Sequence, residues 1–136
     1  MALGAKTDTI AGDSFAIEIL ASVTAANGAP ASASAGVEMN ALRINGEMPT
    51  SIRVGFRSTA GSATMTVAGR VWLYMGGAWS VAATLNGGSN IAETSADAIA
   101  YSEAVSVVQG AARIFLEVTA IAGTSTAVTG YAYVGR

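Results

Sequence analysis

Apolar and polar residues alternate along this chain in short runs, and each run is closed by a turn signal. Over 14–24, Phe15, Ile17, Ile19 and Val23 share one face, with Glu18 and Ser22 on the other. That two-residue period is the mark of a half-buried strand. The Val, Ile and Thr in the run favour a strand over a helix. A small-residue loop around Pro30 follows. A second strand is expected over 37–44, closed by Asn45-Gly46, a tight-turn pair. Over 50–57, Ile52, Val54 and Phe56 face one way, and Arg53, Gly55 and Arg57 the other.

The longest run, 63–75, sets Met65, Val67, Val71, Leu73 and Met75 against Thr64, Thr66, Arg70, Trp72 and Tyr74. Gly76-Gly77 predicts a two-residue hairpin into a strand over 78–85. Residues 86–94 read as a loop. A strand over 98–108 places Tyr101, Glu103, Val105 and Val107 on one side, and a single helical turn is compatible with 92–100. A strand over 112–119 turns Ile114, Leu116 and Val118 inward, and Arg113, Phe115 and Glu117 outward. A last strand over 127–134 puts Tyr131 and Tyr133 on one face.

About eight strands at roughly ten-residue spacing, with no convincing helix, predict an all-β fold. The expected form is an antiparallel β-sandwich, jelly-roll-like. No fixed-period repeat points to a solenoid or propeller. Residues 14–136 are read as one sandwich domain, and 1–13 as an N-terminal arm or lead-in. The arm has few large apolar groups and no sustained alternation. It is expected to be mobile in the isolated chain and to order against a neighbour through Leu3, Lys6, Asp8 and Ile10.

Composition sharpens this into a class of function. The 136 residues include no histidine and no cysteine, and Lys6 is the single lysine. The usual proton shuttle, the readiest nucleophile and all but one of the possible Schiff-base formers are therefore missing. Hydrolytic triads cannot be assembled. Glu103 and Glu117 are candidates for a glycosidase pair, but no spacing supports it. A calcium site from Asp8, Asp13, Glu93 or Asp97 lacks the ligand spacing of a hard-ion loop. The paired glycines at 76–77 and 87–88 precede no helix and carry no phosphate-loop lysine. The chain is read as non-enzymatic, with no cofactor and no metal.

Only 12% of residues are charged while 51% are hydrophobic. A soluble domain ordinarily carries about twice that charge, so part of this surface is expected to be covered by other chains. The net charge of −2 leaves no electrostatic footprint for nucleic acid. The first ten residues lack a secretory pattern, and the apolar run 15–23 is short for a bilayer and holds Glu18. A protein made in a cytoplasm, with no membrane partner, is expected.

Arginine, tryptophan and tyrosine on the outward faces point to contacts. Arg53, Arg57, Arg70, Trp72, Tyr74, Arg113 and Phe115 are the candidate interface residues, of the types that dominate binding hot spots. Two other readings stand beside this one: a sugar-stacking platform, and a layer shielded under loops.

The hairpin 70–85, RVWLYMGGAWSVAATL, and the end 110–134, GAARIFLEVTAIAGTSTAVTGYAYV, resemble small structural proteins of tailed-bacteriophage virions. So do the pervasive Ala, Gly, Ser and Thr. Head decoration, or cement, proteins are the most similar in size. The resemblance implies a β-sandwich homotrimer on the virion's capsid surface, bound to a major capsid protein and stabilising capsomer contacts. It implies no catalytic residues. Fibre proteins that bind carbohydrate or a receptor, and tail or collar connectors, share the same style.

Overall fold

The computed structural model describes residues 3–10, 14–58, 65–92, 99–123 and 127–135. Ten strands occur among them: β1 (Lys6–Ile10), β2 (Ser14–Val23), β3 (Val37–Glu38), β4 (Ser51–Ser58), β5 (Met65–Met75), β6 (Ala78–Thr84), β7 (Ile91–Ala92), β8 (Ile99–Ser106), β9 (Arg113–Gly123) and β10 (Val128–Gly135). They form two antiparallel sheets. One has the order β1-β2-β10-β4-β8. The other has β3-β9-β5-β6, with β7 also pairing β5.

Apart from the β5–β6 hairpin and the β1–β2 pair, strands adjacent in sequence mostly lie in opposite sheets. Thus β2 leads to β3, β4 to β5, and β9 to β10 across the sandwich. This interleaving of β2-β10-β4-β8 with β3-β9-β5-β6 is the strand order of a jelly roll. The all-β sandwich expected from the alternation is therefore the observed fold.

The core lies between the two sheets. Ile17, Phe56, Met65, Leu73, Leu85, Ile114 and Leu116 are among its fully buried side chains. Leu85 lies in the 3-10 turn after β6, and the others come from the inward positions of their strands, as the pleat requires. At Gly76 and Gly77, φ is 60° and 83°. Such a pair makes the tight hairpin whose twist matches its strands. Asn45 and Gly46, at φ 51° and 81°, do the same between Ile44 and Glu47.

Three local expectations are corrected. The strand over 37–44 pairs with β9 only at Val37–Glu38, and Met39–Leu42 then form a 3-10 turn with Met39 and Leu42 buried. Burying two side chains three apart suits that turn and not a pleat. In β8, Tyr101 and Val105 lie on opposite faces, because the register with β4 shifts between them. The hydroxyl of Ser102 accepts the Val54 N–H at 3.0 Å and donates to the Glu103 carbonyl at 2.7 Å. It replaces a ladder bond where the bulge removes one. Third, residues Lys6–Ile10 of the expected arm form β1 and pair with β2 of their own chain, Lys6 opposite Ile17 and Thr7 opposite Ala16. Backbone pairing supplies the ordering that the side chains of this segment could not.

The helical turn considered within 92–100 falls largely on 93–98, outside the described residues. Asp13, Glu93 and Asp97 of the calcium reading lie outside them too.

Candidate functional site

Five of the seven interface candidates meet on the outer face of the β9-β5-β6 sheet. They form cross-strand pairs there: Arg70 opposite Glu117, Trp72 opposite Phe115 and Tyr74 opposite Arg113. Strand β6 extends the face, with Trp79 opposite Tyr74 and Val81 opposite Trp72. Pairs of this kind are the unit of sheet stabilisation.

Much of this face is satisfied from within the chain. The Trp72 indole donates to Glu117 Oε1 at 2.8 Å, and Arg70 Nε lies 3.1 Å from the same oxygen. The second contact is an ion pair without hydrogen-bond alignment. Arg113 is held by the loop 24–36. Its Nε donates to the Ala35 carbonyl at 2.8 Å, and Nη2 donates to those of Ser34 and Gly36 at 2.9 and 3.0 Å. The Trp79 indole donates to the Ser32 carbonyl at 2.8 Å. The Trp79 ring packs against Tyr74 and, edge-on, against Phe115. Asn27 pins the start of the loop to the β9 edge through the Leu116 carbonyl and the Val118 N–H. At the Arg113 end the face is thus a layer under a loop.

Gly36 is where that loop makes its closest approach. Its φ is +72°, and a Cβ there would overlap the carbonyl oxygen of Ile114. Gly36→Ala is expected to cost more than about 1 kcal/mol of stability. It should also shift the tryptophan fluorescence as Trp79 loses its carbonyl partner. Unchanged emission and an unchanged urea midpoint would show that the loop does not hold this face.

Arg53 and Arg57 lie elsewhere, on the outer face of the other sheet. Both side chains are exposed, and neither has an ion-pair partner among the described residues. Between them is Gly55, with Tyr131 as its neighbour on β10 and Tyr101 on β8. The Tyr133 ring lies over Gly55, where a Cβ would strike it. Tyr133 is 5.4 Å from the Tyr101 ring and 6.4 Å from the Tyr131 ring. Three tyrosines therefore form one row across β8, β4 and β10, flanked by two free guanidinium groups. Sequence reasoning left the tyrosines out of the site. The glycine between two arginines was the available signal, since a missing side chain in mid-strand makes room for a ring.

Glu18 sits on this same face, opposite Tyr131. It is fully buried, and among the described residues neither carboxylate oxygen has a hydrogen-bond partner. Burial pushes its pKa above the ordinary carboxylate value. Of the expected arm contacts, Leu3 is exposed and the Lys6 ammonium lies 4.3 Å from the centre of the Phe15 ring. The side chains of Asp8 and Ile10 lie outside the described residues.

The two carboxylates weighed as a glycosidase pair have separate partners. Glu103 accepts the Asn86 N–H through both oxygens at 3.1 Å, while Glu117 is committed to Trp72 and Arg70. Among the described residues no three His, Cys, Asp or Glu side chains cluster to hold a metal ion. An open cleft of about 940 Å³ at one end of the sandwich is lined by Glu38, Arg43, Glu47, Tyr74 and Arg113 among others. Arg43 there is bonded to Asn40 and to the Gly46 carbonyl.

No protein-family model, curated protein or solved structure matches this chain.

Proposed function

We propose that this chain is a non-enzymatic structural protein of a tailed-phage virion, a decoration protein seated on the capsid shell. The observation that carries the reading is the Tyr101–Tyr133–Tyr131 row with Arg53 and Arg57 beside it. Tyrosine offers large amphipathic contact area at low entropic cost, and arginine pairs carboxylates with two parallel bonds. A broad, rigid sheet face of this kind fits a flat, acidic protein surface such as an assembled shell. Many copies on one lattice would turn modest individual contacts into firm attachment. The jelly-roll strand order is compatible, since capsid and lectin domains both use it, but fold alone assigns neither role.

The test is co-sedimentation with purified capsids. Tyr101→Ala and the double variant Arg53→Ala/Arg57→Ala should each weaken attachment by about 2 kcal/mol, roughly thirtyfold, with folding intact. Full attachment by both variants would remove this face from the interface. The exposed Tyr101 ring also suits sugar stacking. Glycan binding that is lost in Tyr101→Ala, without capsid attachment, would favour the carbohydrate- or receptor-binding reading instead.

A further inference from the structure

We propose that strand β6 pairs with β6 of a second copy of this chain, joining two sandwiches through one continuous sheet. The inference does not depend on a capsid shell. It starts from an edge with neither charge nor proline, whose register shift, between Val81 and Ala83, leaves Trp79–Val81 regular. Strand β6 has β5 on one side, and among the described residues no strand pairs with its other side. An open edge is a template for another strand, and proteins normally blunt it with charge, proline or a bulge aimed away from solvent.

At the other three ends of the two strand orders the edge strand is charged. Strand β1 carries Lys6 and Asp8, β3 carries Glu38 and β8 carries Glu103, whereas β6 reads AWSVAAT with no charge and no proline. Twofold antiparallel pairing of a charged edge brings like charges near one another. Strand β6 can meet itself without that cost. Val81 is 41% exposed, one of only four exposed large apolar side chains among the described residues.

The register follows from the hairpin. The two-residue turn at Gly76 and Gly77 makes Met75 and Ala78 a hydrogen-bonded pair, so Leu73 and Ser80 are the next one. Trp79 and Val81 therefore direct their N–H and C=O groups away from β5. A twofold axis at Ser80 sets Trp79 of one copy opposite Val81 of the other, on both sides of the axis. All four outward-pointing backbone groups in each copy are then paired. An aromatic residue opposite a β-branched one is a favourable cross-strand pair. Closed twofold pairing gives a dimer, in place of the trimer that the phage resemblance implies.

The chain has no cysteine, so single cysteines report contacts cleanly. In this register the two Ser80 residues form a non-hydrogen-bonded pair with Cα atoms about 4.5 Å apart, within disulfide reach. Ser80→Cys should cross-link nearly completely under mild oxidation. Ser51→Cys, exposed on β4, should not. Light scattering should give twice the mass of one chain. Val81→Lys should return it to the mass of one chain at the same protein concentration, with the circular dichroism spectrum unchanged. A monomeric parent, or equal cross-linking at positions 51 and 80, would overturn the proposal. So would a dimer that survives Val81→Lys. If the parent is a monomer whose β6 amides become protected from exchange only on capsids, the edge belongs to a strand of the shell and self-pairing is wrong.

Discussion

Phe56→Ala is expected to lower the unfolding free energy by about 3–5 kcal/mol, the largest effect of any single substitution considered for this chain. Phe56 is fully buried on β4, the strand between β10 and β8. Its ring reaches across the sandwich to the backbone of the opposite sheet. A Cβ built at Gly69 on β5 would lie 3.0 Å from the ring's far carbon. The ring thus spans the gap between sheets, and truncation removes contacts on both sides at once. Two hydrogen-bonded sheets cannot collapse locally to refill that space, so the cavity term adds to the lost transfer energy. Urea unfolding should show a lower midpoint with an unchanged slope. Ser51→Ala, exposed on the same strand, should stay within about 0.5 kcal/mol of the parent. A Phe56→Ala cost near that of Ser51→Ala would mean that the sheets repack, and that this ring does not set their spacing.

The elements that were legible in the sequence share a cause. Strands β4, β5 and β10 keep unbroken alternation between clear turns, and β2, β6 and β9 keep it up to the extra residues at their register shifts. Alternation records burial directly, because one face of each strand meets the core. Where the backbone departs from the regular pleat, the signal is lost. Parity in β8 breaks at Ser102, and nothing in alternation foretells that a hydroxyl will stand in for a ladder bond. Strand β1 has the composition of a loose arm, yet edge pairing with β2 orders it, and backbone hydrogen bonds leave no side-chain pattern. The candidate surface divides in the same way. Outward Arg, Trp and Phe on β5 and β9 could be read as one face, and the structure brings them together. That Arg53 and Arg57 belong to the opposite side of the molecule is a matter of strand order between sheets, which local periodicity does not encode. The cover that the loop 24–36 gives Trp79 and Arg113 runs through carbonyl groups, which every residue carries, so no residue type announced it.

Glu18→Gln is expected to stabilise the protein at neutral pH, because glutamine takes up no charge that burial would have to desolvate. Alternation places Glu18 on the outer side of β2, where an exposed carboxylate would be ordinary. The register shift between β2 and β10 beside Tyr131, together with the segment that precedes β1, changes its surroundings. The Gly4 N–H donates to the Glu18 carbonyl at 2.7 Å, and the Glu18 N–H donates to that of Ala5 at 3.0 Å. The chain before β1 is thereby drawn against this residue, and the side chain is fully buried with no donor to either oxygen among the described residues. Desolvation raises the folded-state pKa above that of the unfolded chain. The folded protein then binds the Glu18 proton more tightly than the unfolded one. Stability from this group is fully present below the unfolded value, about 4.3. It falls as pH rises through that value and on through the higher folded value, beyond which the loss is constant. Glutamine mimics the protonated acid in shape and leaves the same amide-sized polar group to bury, so the two proteins should be nearly equal in acid. Their difference should open in favour of Gln as pH climbs to neutral. Urea midpoints measured across this range decide the matter. A variant that is weaker at neutral pH, or an offset that does not change with pH, would mean that Glu18 finds a compensating partner when it ionises.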